Sequence, residues 1–323
     1  MNAALQLDVW WEPICSHMEQ VEHLLHETLS RTGEPLGPRL CGVMGGGKRV
    51  RPALILLSGC ILASDMSPFY RLAAAVEMLH TATLIHDDVL DQADLRRGMR
   101  TLHTTWPVGV TVLAGDYLLA QAASLVAELG QPRILKVFAD ALCAICAGEI
   151  RQAFLTRGSS FHQDYYRSIE AKTASLFAAA TEMAGILAGA EEAQVAALRH
   201  FGHELGLAFQ IVDDVLDLTG DEVHLGKPAG SDLCQGLITL PVLYYLQGAG
   251  DEDPVQAVLS GRRDAQSVRA AIAAVRASGA IASALAEARA HARQGQEALA
   301  ALPDRPARQT LCLLAEYVVQ REM

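Results

Sequence analysis

Residues 85–98 read IHDDVLDQADLRRG, and residues 211–220 return nearly the same text, IVDDVLDLTG. On an α-helix Asp87 and Asp91 stand four apart and Asp88 and Asp91 three apart, so their carboxylates converge on one face; Asp213, Asp214 and Asp217 repeat that geometry. Two carboxylates a few ångströms apart repel by roughly 3 kcal/mol at an effective dielectric near 20, so acids gathered in a cleft need a cation between them. A lone DDxxD is as often a solvated helix face. Two copies, each preceded by an apolar run (TATLIH at 81–86, GLAFQIV at 206–212), point into a cleft instead. Hard oxygen donors without nearby Cys or paired His favour magnesium, which takes one or two carboxylates and completes its octahedron with water and phosphate oxygens.

Around these motifs apolar residues recur at three- and four-residue spacing, predicting helices over about 10–30, 50–64, 70–94, 109–129, 132–155, 165–188, 193–219 and 238–247, with shorter ones to the end. Strand-like alternation is nearly absent. The chain is 51% hydrophobic but only 5% aromatic, so its apolar mass is Ala, Leu, Val and Ile, which suits close-packed helices. The Gly- and Pro-bearing stretches at 31–48, 156–163, 219–232, 248–253 and 302–308 are too short for interdomain linkers and are read as loops. The expectation is an all-α helical bundle forming one domain over 1–323.

Lys+Arg 26 against Asp+Glu 37 leaves a net charge of −11, which argues against a nucleic-acid partner and obliges any anionic ligand to find a local basic patch or metal ions. Seven cysteines without framework spacing point to a reduced, cytoplasmic chain, and Cys143 and Cys146, the one CxxC, are read as buried helical packing. The N-terminal stretch lacks a basic leader and no uninterrupted apolar run reaches membrane-spanning length, so no integral membrane segment is expected.

Three further stretches carry charge. Arg96 and Arg97 follow the first acids, and arginine pairs bidentately with phosphate, so acids, metal and arginines together imply a diphosphate; taken alone, these arginines would read as surface partners of Asp94, on the next helical turn. GGGKRVRP at 45–52 gathers Lys48, Arg49 and Arg51. Gly42 to Lys48 fits GxxxxGK, but Arg49 stands where a P-loop needs Ser or Thr and no strand precedes it, leaving a glycine-rich turn that opens a helix. Glu77 and His80 form an ExxH on the helix of the first acids; a di-iron bundle needs a second such motif, and none is evident. His80 lies two turns from Asp87 on nearly the same face, as an anion donor or as a satisfied core histidine.

In order along the chain, GKRVRP, HTATLIHDDVLDQADLRRG, LAGDYLL, GEIRQ, YRSIEAKTASL, AFQIVDDVLDLTG, GKPAGSDLCQGLITLP and YVVQR resemble the trans-isoprenyl diphosphate synthases, or polyprenyl synthetases. That resemblance implies an all-helical fold around a deep central cavity, usually in a homodimer, with the two acid motifs facing one another. It implies Asp87, Asp88, Asp91, Asp213, Asp214 and Asp217 as ligands of magnesium, three ions with substrate bound, with Gln152 as an outer partner. Arg96, Lys172, Thr173, Gln210 and Lys227 would hold an allylic diphosphate such as farnesyl diphosphate; Lys48, Arg51, His80 and Arg97 would hold isopentenyl diphosphate. Asp87, Asp88, Asp91, Lys172, Asp213 and Lys227 form the implied catalytic set. An isoprene unit spans roughly one helical turn, about 5.4 Å, so Thr83, Ala82 and Leu79 would act as rungs below Asp87. Their small or aliphatic side chains favour a long-chain product where short-chain members carry aromatic rings.

Leu237 and Met99 depart from the family, which usually has lysine at both positions. That loss of charge raises a non-catalytic partner subunit or a divergent synthase with an unusual substrate as alternatives, and a short-chain synthase of the geranylgeranyl or farnesyl type is a further one. A terpene cyclase, sharing only the first acid motif, is disfavoured by the intact second one.

Overall fold

The structure, a computed structural model, describes residues 11–96, 98–154, 161–220, 229–248, 250 and 253–321. Its helices run α1 (Cys15–Ser30), α2 (Leu36–Met44), α3 (Val50–Leu62) and α4 (Ser67–Leu90). A two-residue hairpin, β1 (Leu95–Arg96) with β2 (Met99–Arg100), precedes α5 (Val108–Ala127), α6 (Pro132–Phe154) and α7 (Phe161–Ile169). A π-helical turn (Glu170–Ala174) then leads into α8 (Ser175–Leu187) and α9 (Glu192–Thr219). The chain ends with α10 (Ser231–Gln235), α11 (Leu240–Leu246), α12 (Pro254–Leu259), α13 (Ala265–Ala277), α14 (Ala280–Ala298) and α15 (Pro306–Gln320). The all-α expectation holds.

Two long helices present the acid motifs, and their ends follow from local chemistry. Helix α4 opens with Pro68 in its first turn, where a missing N–H costs nothing. It closes at Asp91 because Gln92 adopts a left-handed φ of 51°, and the hairpin then turns through Gly98 at φ 75°. The helix therefore stops at Leu90, not at 94, and Asp94 lies off it. Helix α9 starts on a capping box in which the Glu191 side chain and Gln194 satisfy each other's backbone N–H groups.

Helix α3 is buried almost all round, from Val50 through Pro52–Gly59 to Ile61, and it lies against α4 and α8. Helix α9 packs along both α8 and α14, and α4 lies along α5. The π-helical turn is held closely between two neighbours: a Cβ at Gly206 would sit 2.6 Å from Ala174 Cα, and one at Gly148 would sit 2.7 Å from Ala171 Cβ. Only glycine allows α9 and α6 to approach that turn so closely.

Two sequence expectations change. Residues 36–44, read as loop, form α2, because Leu40 and Met44 stand one turn apart and both bury into the main core. Cys143 and Cys146 are exposed, because Ala141 and Ile145 take the buried face of α6. Helix α5 is by length and composition apolar enough to cross a membrane, with Asp116 its one charged residue and 39% of its most apolar stretch buried.

Candidate active site

A cavity of about 550 Å³ opens where α4, α9 and the π-helical turn converge. Asp87 of α4 and Asp213 of α9, one from each acid motif, line this same cavity. Lys48 and Arg51 approach from the start of α3, Arg96 from the hairpin, Glu149 from α6, and Lys172 and Thr173 from the π-helical turn. A turn with one extra residue per hydrogen-bonded ring shifts the side-chain phase, so the neighbours Lys172 and Thr173 both reach the cavity. Thr83, Leu84, Ile145, Leu176 and Phe209 supply apolar wall.

The acids at and beside the cavity are paired with cations. Lys172 Nζ stands 3.5 Å from Asp87 Oδ2 and 2.6 Å from Glu149 Oε1. Arg96 Nε donates to Asp88 Oδ1 at 2.5 Å. Arg321, just beyond α15, donates to Asp213 Oδ1 at 2.9 Å. Burial pushes the Asp87 carboxyl above its ordinary range and Lys172 only partly offsets that; Asp88 behaves alike, with Arg96 opposing. Burial also works against the Lys172 charge, but Asp87 and Glu149 outweigh it and raise its pKa. The site thus favours positive charge strongly enough to keep a half-buried lysine protonated.

A second network runs from the cavity wall, where Thr173 and Gln210 stand, into the protein. Thr173 Oγ1 donates to Gln210 Oε1 at 2.6 Å, Gln210 Nε2 to Asp214 Oδ1 at 2.8 Å, and Tyr165 OH to Asp214 Oδ2 at 2.7 Å. Thr173 and Gln210, assigned by resemblance to the diphosphate, are therefore locked together. Asp214, grouped by resemblance with the metal ligands, is turned into the protein: one residue beyond Asp213 the helix has rotated by about 100°. Burial pushes its pKa up to about 8 despite the hydrogen bonds from Gln210 and Tyr165. Asp217 is 2% exposed and also lies off the cavity lining, with the Asp232 N–H donating to its Oδ2 at 3.2 Å. Asp91 is exposed at the end of α4.

The basic stretch at 45–52 divides. The Arg51 guanidinium lies 4.6 Å from the centre of the Phe177 ring, and Lys48 Nζ lies 5.7 Å from that of Tyr317. Arg49 turns inward at a left-handed φ of 47°. It bonds to Glu22 Oε1 at 2.5 Å, Glu77 Oε1 at 2.8 Å and the Met44 carbonyl at 2.7 Å. The glutamate of the ExxH is thus the partner of a buried arginine, while His80 faces the cavity. Gln152 sits in a separate crevice, accepting from Ser168 at 3.2 Å, and has no place beside the acids. Thr83 reaches the cavity, whereas Leu79 and Ala82 are fully buried in the core and do not line it. Arg97 and Lys227 lie outside the described residues.

Sequence reasoning missed Glu149 and Arg321, although both fall in the GEIRQ and YVVQR stretches. A lone charge carries no spacing signal, and only the fold brings it to the cavity. Among the described residues no group of three His, Cys, Asp or Glu side chains is gathered into a ready-made metal cage.

The family model for polyprenyl synthetase matches residues 40–275. The chain belongs to the polyprenyl synthetase family. Within that family it is 40% identical over 258 residues to the heptaprenyl diphosphate synthase component 2 of Geobacillus stearothermophilus, covering 79% of this chain and 80% of that protein. It is 37% identical over 310 residues, 94% of either chain, to a short chain isoprenyl diphosphate synthase of Methanothermobacter thermautotrophicus. A polyprenyl synthase from Caulobacter crescentus CB15, crystallised with calcium and isoprenyl diphosphate, superimposes with a TM-score of 0.91 at 35% identity over 98% of both chains. As a polyprenyl synthetase the chain is a prenyltransferase. Relatives named for products of different length resemble it almost equally, so product length has to be argued from the cavity wall.

Proposed function

We propose that this chain, as one domain over 1–323, adds isopentenyl diphosphate units head-to-tail to an allylic diphosphate primer such as farnesyl diphosphate, giving a long-chain all-trans polyprenyl diphosphate. The observation that carries this reading is one cavity with Asp87 and Asp213 at its rim, cations beside them and an apolar wall beneath. The donor set fits magnesium, because the ligands are hard carboxylate oxygens and Asp87, Asp88 and Asp213 each already attract a cation. Asp87, Asp88 and Asp91 would hold ions on one side and Asp213 on the other, three ions in all. Bound there, magnesium neutralises charge that develops on the departing diphosphate. The solved relative with calcium and isoprenyl diphosphate supports the pairing of a divalent ion with this substrate class.

The chain's own residues do the rest. Lys172 and Arg96, released from their acids, grip the allylic diphosphate, a role that the family resemblance also gives to Lys227. Thr173 and Gln210 fix the donor geometry. Lys48, Arg51, His80 and Arg97 hold the second diphosphate and aim the isopentenyl double bond at the allylic carbon. As the allylic C–O bond breaks, Leu84, Ile145, Leu176 and Phe209 keep water from the cation. The isopentenyl double bond attacks the allylic carbon as its diphosphate departs, the released diphosphate takes the proton that is lost, and the new allylic diphosphate is one isoprene longer.

Thr83 and Leu84 line the cavity, and neither carries an aromatic ring, which supports a long product. The deciding experiment incubates the purified chain with farnesyl diphosphate, isopentenyl diphosphate and magnesium, and weighs the dephosphorylated products by mass spectrometry. A ladder reaching long chains is expected. Isopentenyl diphosphate left unconsumed by the chain alone would overturn the reading in favour of a partner subunit, the outcome that Leu237 and Met99 would then explain.

A further inference from the structure

The last described residue, Arg321, is held on every side. Its Nε donates to the Val318 carbonyl at 3.1 Å, one terminal nitrogen to Asp213 Oδ1 at 2.9 Å, and the other to the Phe209 carbonyl at 3.2 Å. Its guanidinium lies 4.0 Å from the centre of the Phe209 ring, and its side chain is 6% exposed against 40% for Asp213. The cations on the first motif are looser: Lys172 and Arg96 are 37% and 36% exposed. Asp213 is also the one acid of the second motif that lines the cavity. Its carboxylate is therefore already engaged by a built-in cation that two backbone carbonyls and an aromatic face hold in place.

We propose that Arg321 competes with a divalent cation for Asp213, so that the second acid motif takes its metal only by displacing the residue that closes α15. This inference rests on the metal-dependent reading above and deepens it. A cation that must be displaced weakens metal binding by the strength of the pair it breaks, and removing the guanidinium returns that free energy to the metal. The first motif, whose cations are more exposed, would fill first, and the second would fill only when the C-terminal end of α15 lets go.

The test is titration of the purified chain with Mn²⁺ alone, reading free metal by electron paramagnetic resonance, and again with inorganic pyrophosphate present. Arg321→Gln, and Arg321→Met should the first fail to fold, are expected to bind the second-motif Mn²⁺ about fivefold more tightly or better, the lower end of common couplings between sites. Asp213→Asn should lose that ion altogether. Arg51→Gln removes an equal charge from the same cavity without touching Asp213, and is expected to change the affinity far less. Unchanged Mn²⁺ affinity in both Arg321 variants, or an equal gain in Arg51→Gln, overturns the proposal and leaves the metal reading intact. Failure of the unaltered chain to bind Mn²⁺ even with pyrophosphate overturns both.

Discussion

Lys172 reaches two carboxylates at once, Glu149 at 2.6 Å and Asp87 at 3.5 Å, and so marks where charge is balanced before any substrate arrives. Asp87 in turn is the member of the first motif that lines the cavity, and its replacement removes a charge aimed at the reacting diphosphate. Asp87→Ala is expected to lower kcat by about 10²–10³ with the fold intact, checked by steady-state rates beside circular dichroism; a near-normal rate would show the acid is misplaced in this scheme. Thr83 reaches the same cavity one turn below. Thr83→Phe should shorten the dominant product, read from the mass ladder of the elongation assay. Ala82 is fully buried, so Ala82→Phe is expected to act differently, by overpacking the core and lowering Tm, a loss of about 1–3 kcal/mol in thermal unfolding.

Helix α9 carries its motif to the cavity because its glycine face lets it lie against the π-helical turn. Gly206→Val would force Ala174 away, since even a Cβ there stands 2.6 Å from Ala174 Cα. The expected result is a large loss of turnover with a raised KM for the allylic substrate, because Lys172 and Thr173 ride on the displaced turn. The other side of α9 is tied to α14 through Glu204, which accepts from His203 at 3.0 Å and from His291 at 2.6 Å. Burial opposes ionisation of Glu204, but these two hydrogen bonds outweigh it and hold its pKa down to about 2. Glu204 therefore adds stability above its ordinary value of 4.5, and this is lost as pH falls toward about 2. The His203 hydrogen bond to Glu204 raises the pKa of His203, so its contribution is full below 6.5 and is lost as pH rises through the folded value. Glu204→Gln should lower Tm most between about pH 4.5 and 6.5, where both contributions coexist; differential scanning calorimetry across that range checks it.

At the scale of the molecule, α5 exposes Val108, Val112 and Leu113, and α6 exposes Leu135 and Ile150. Cys143 and Cys146 are likewise exposed on α6. Apolar side chains gathered on two adjacent helices are costly to leave in water. We propose that the homodimer implied by the sequence resemblance covers them, which would account for an α5 that is apolar enough for a membrane yet only 39% buried along its most apolar stretch. Leu113→Lys is expected to convert a dimer into a monomer in sedimentation velocity; an unchanged mass would place the interface elsewhere.

Helix class, the two acid motifs and the family were legible in the sequence, because periodicity and spacing are local properties that a linear text preserves. Asp87, Asp213, Lys172 and Thr173 were recognisable for the same reason, being set within runs of characteristic residues. Which member of each motif faces the cavity was not legible. Asp214 differs from Asp213 by one residue and one rotation of the helix, and only the partners Tyr165 and Gln210 show that it points inward. Nor were the partners that pin Arg49 to Glu22 and Glu77 legible, nor Arg321, which meets Asp213 across a separation of 108 residues. Long-range approach depends on how the helices pack, and close glycine contacts such as that between Gly206 and Ala174 decide it in three dimensions.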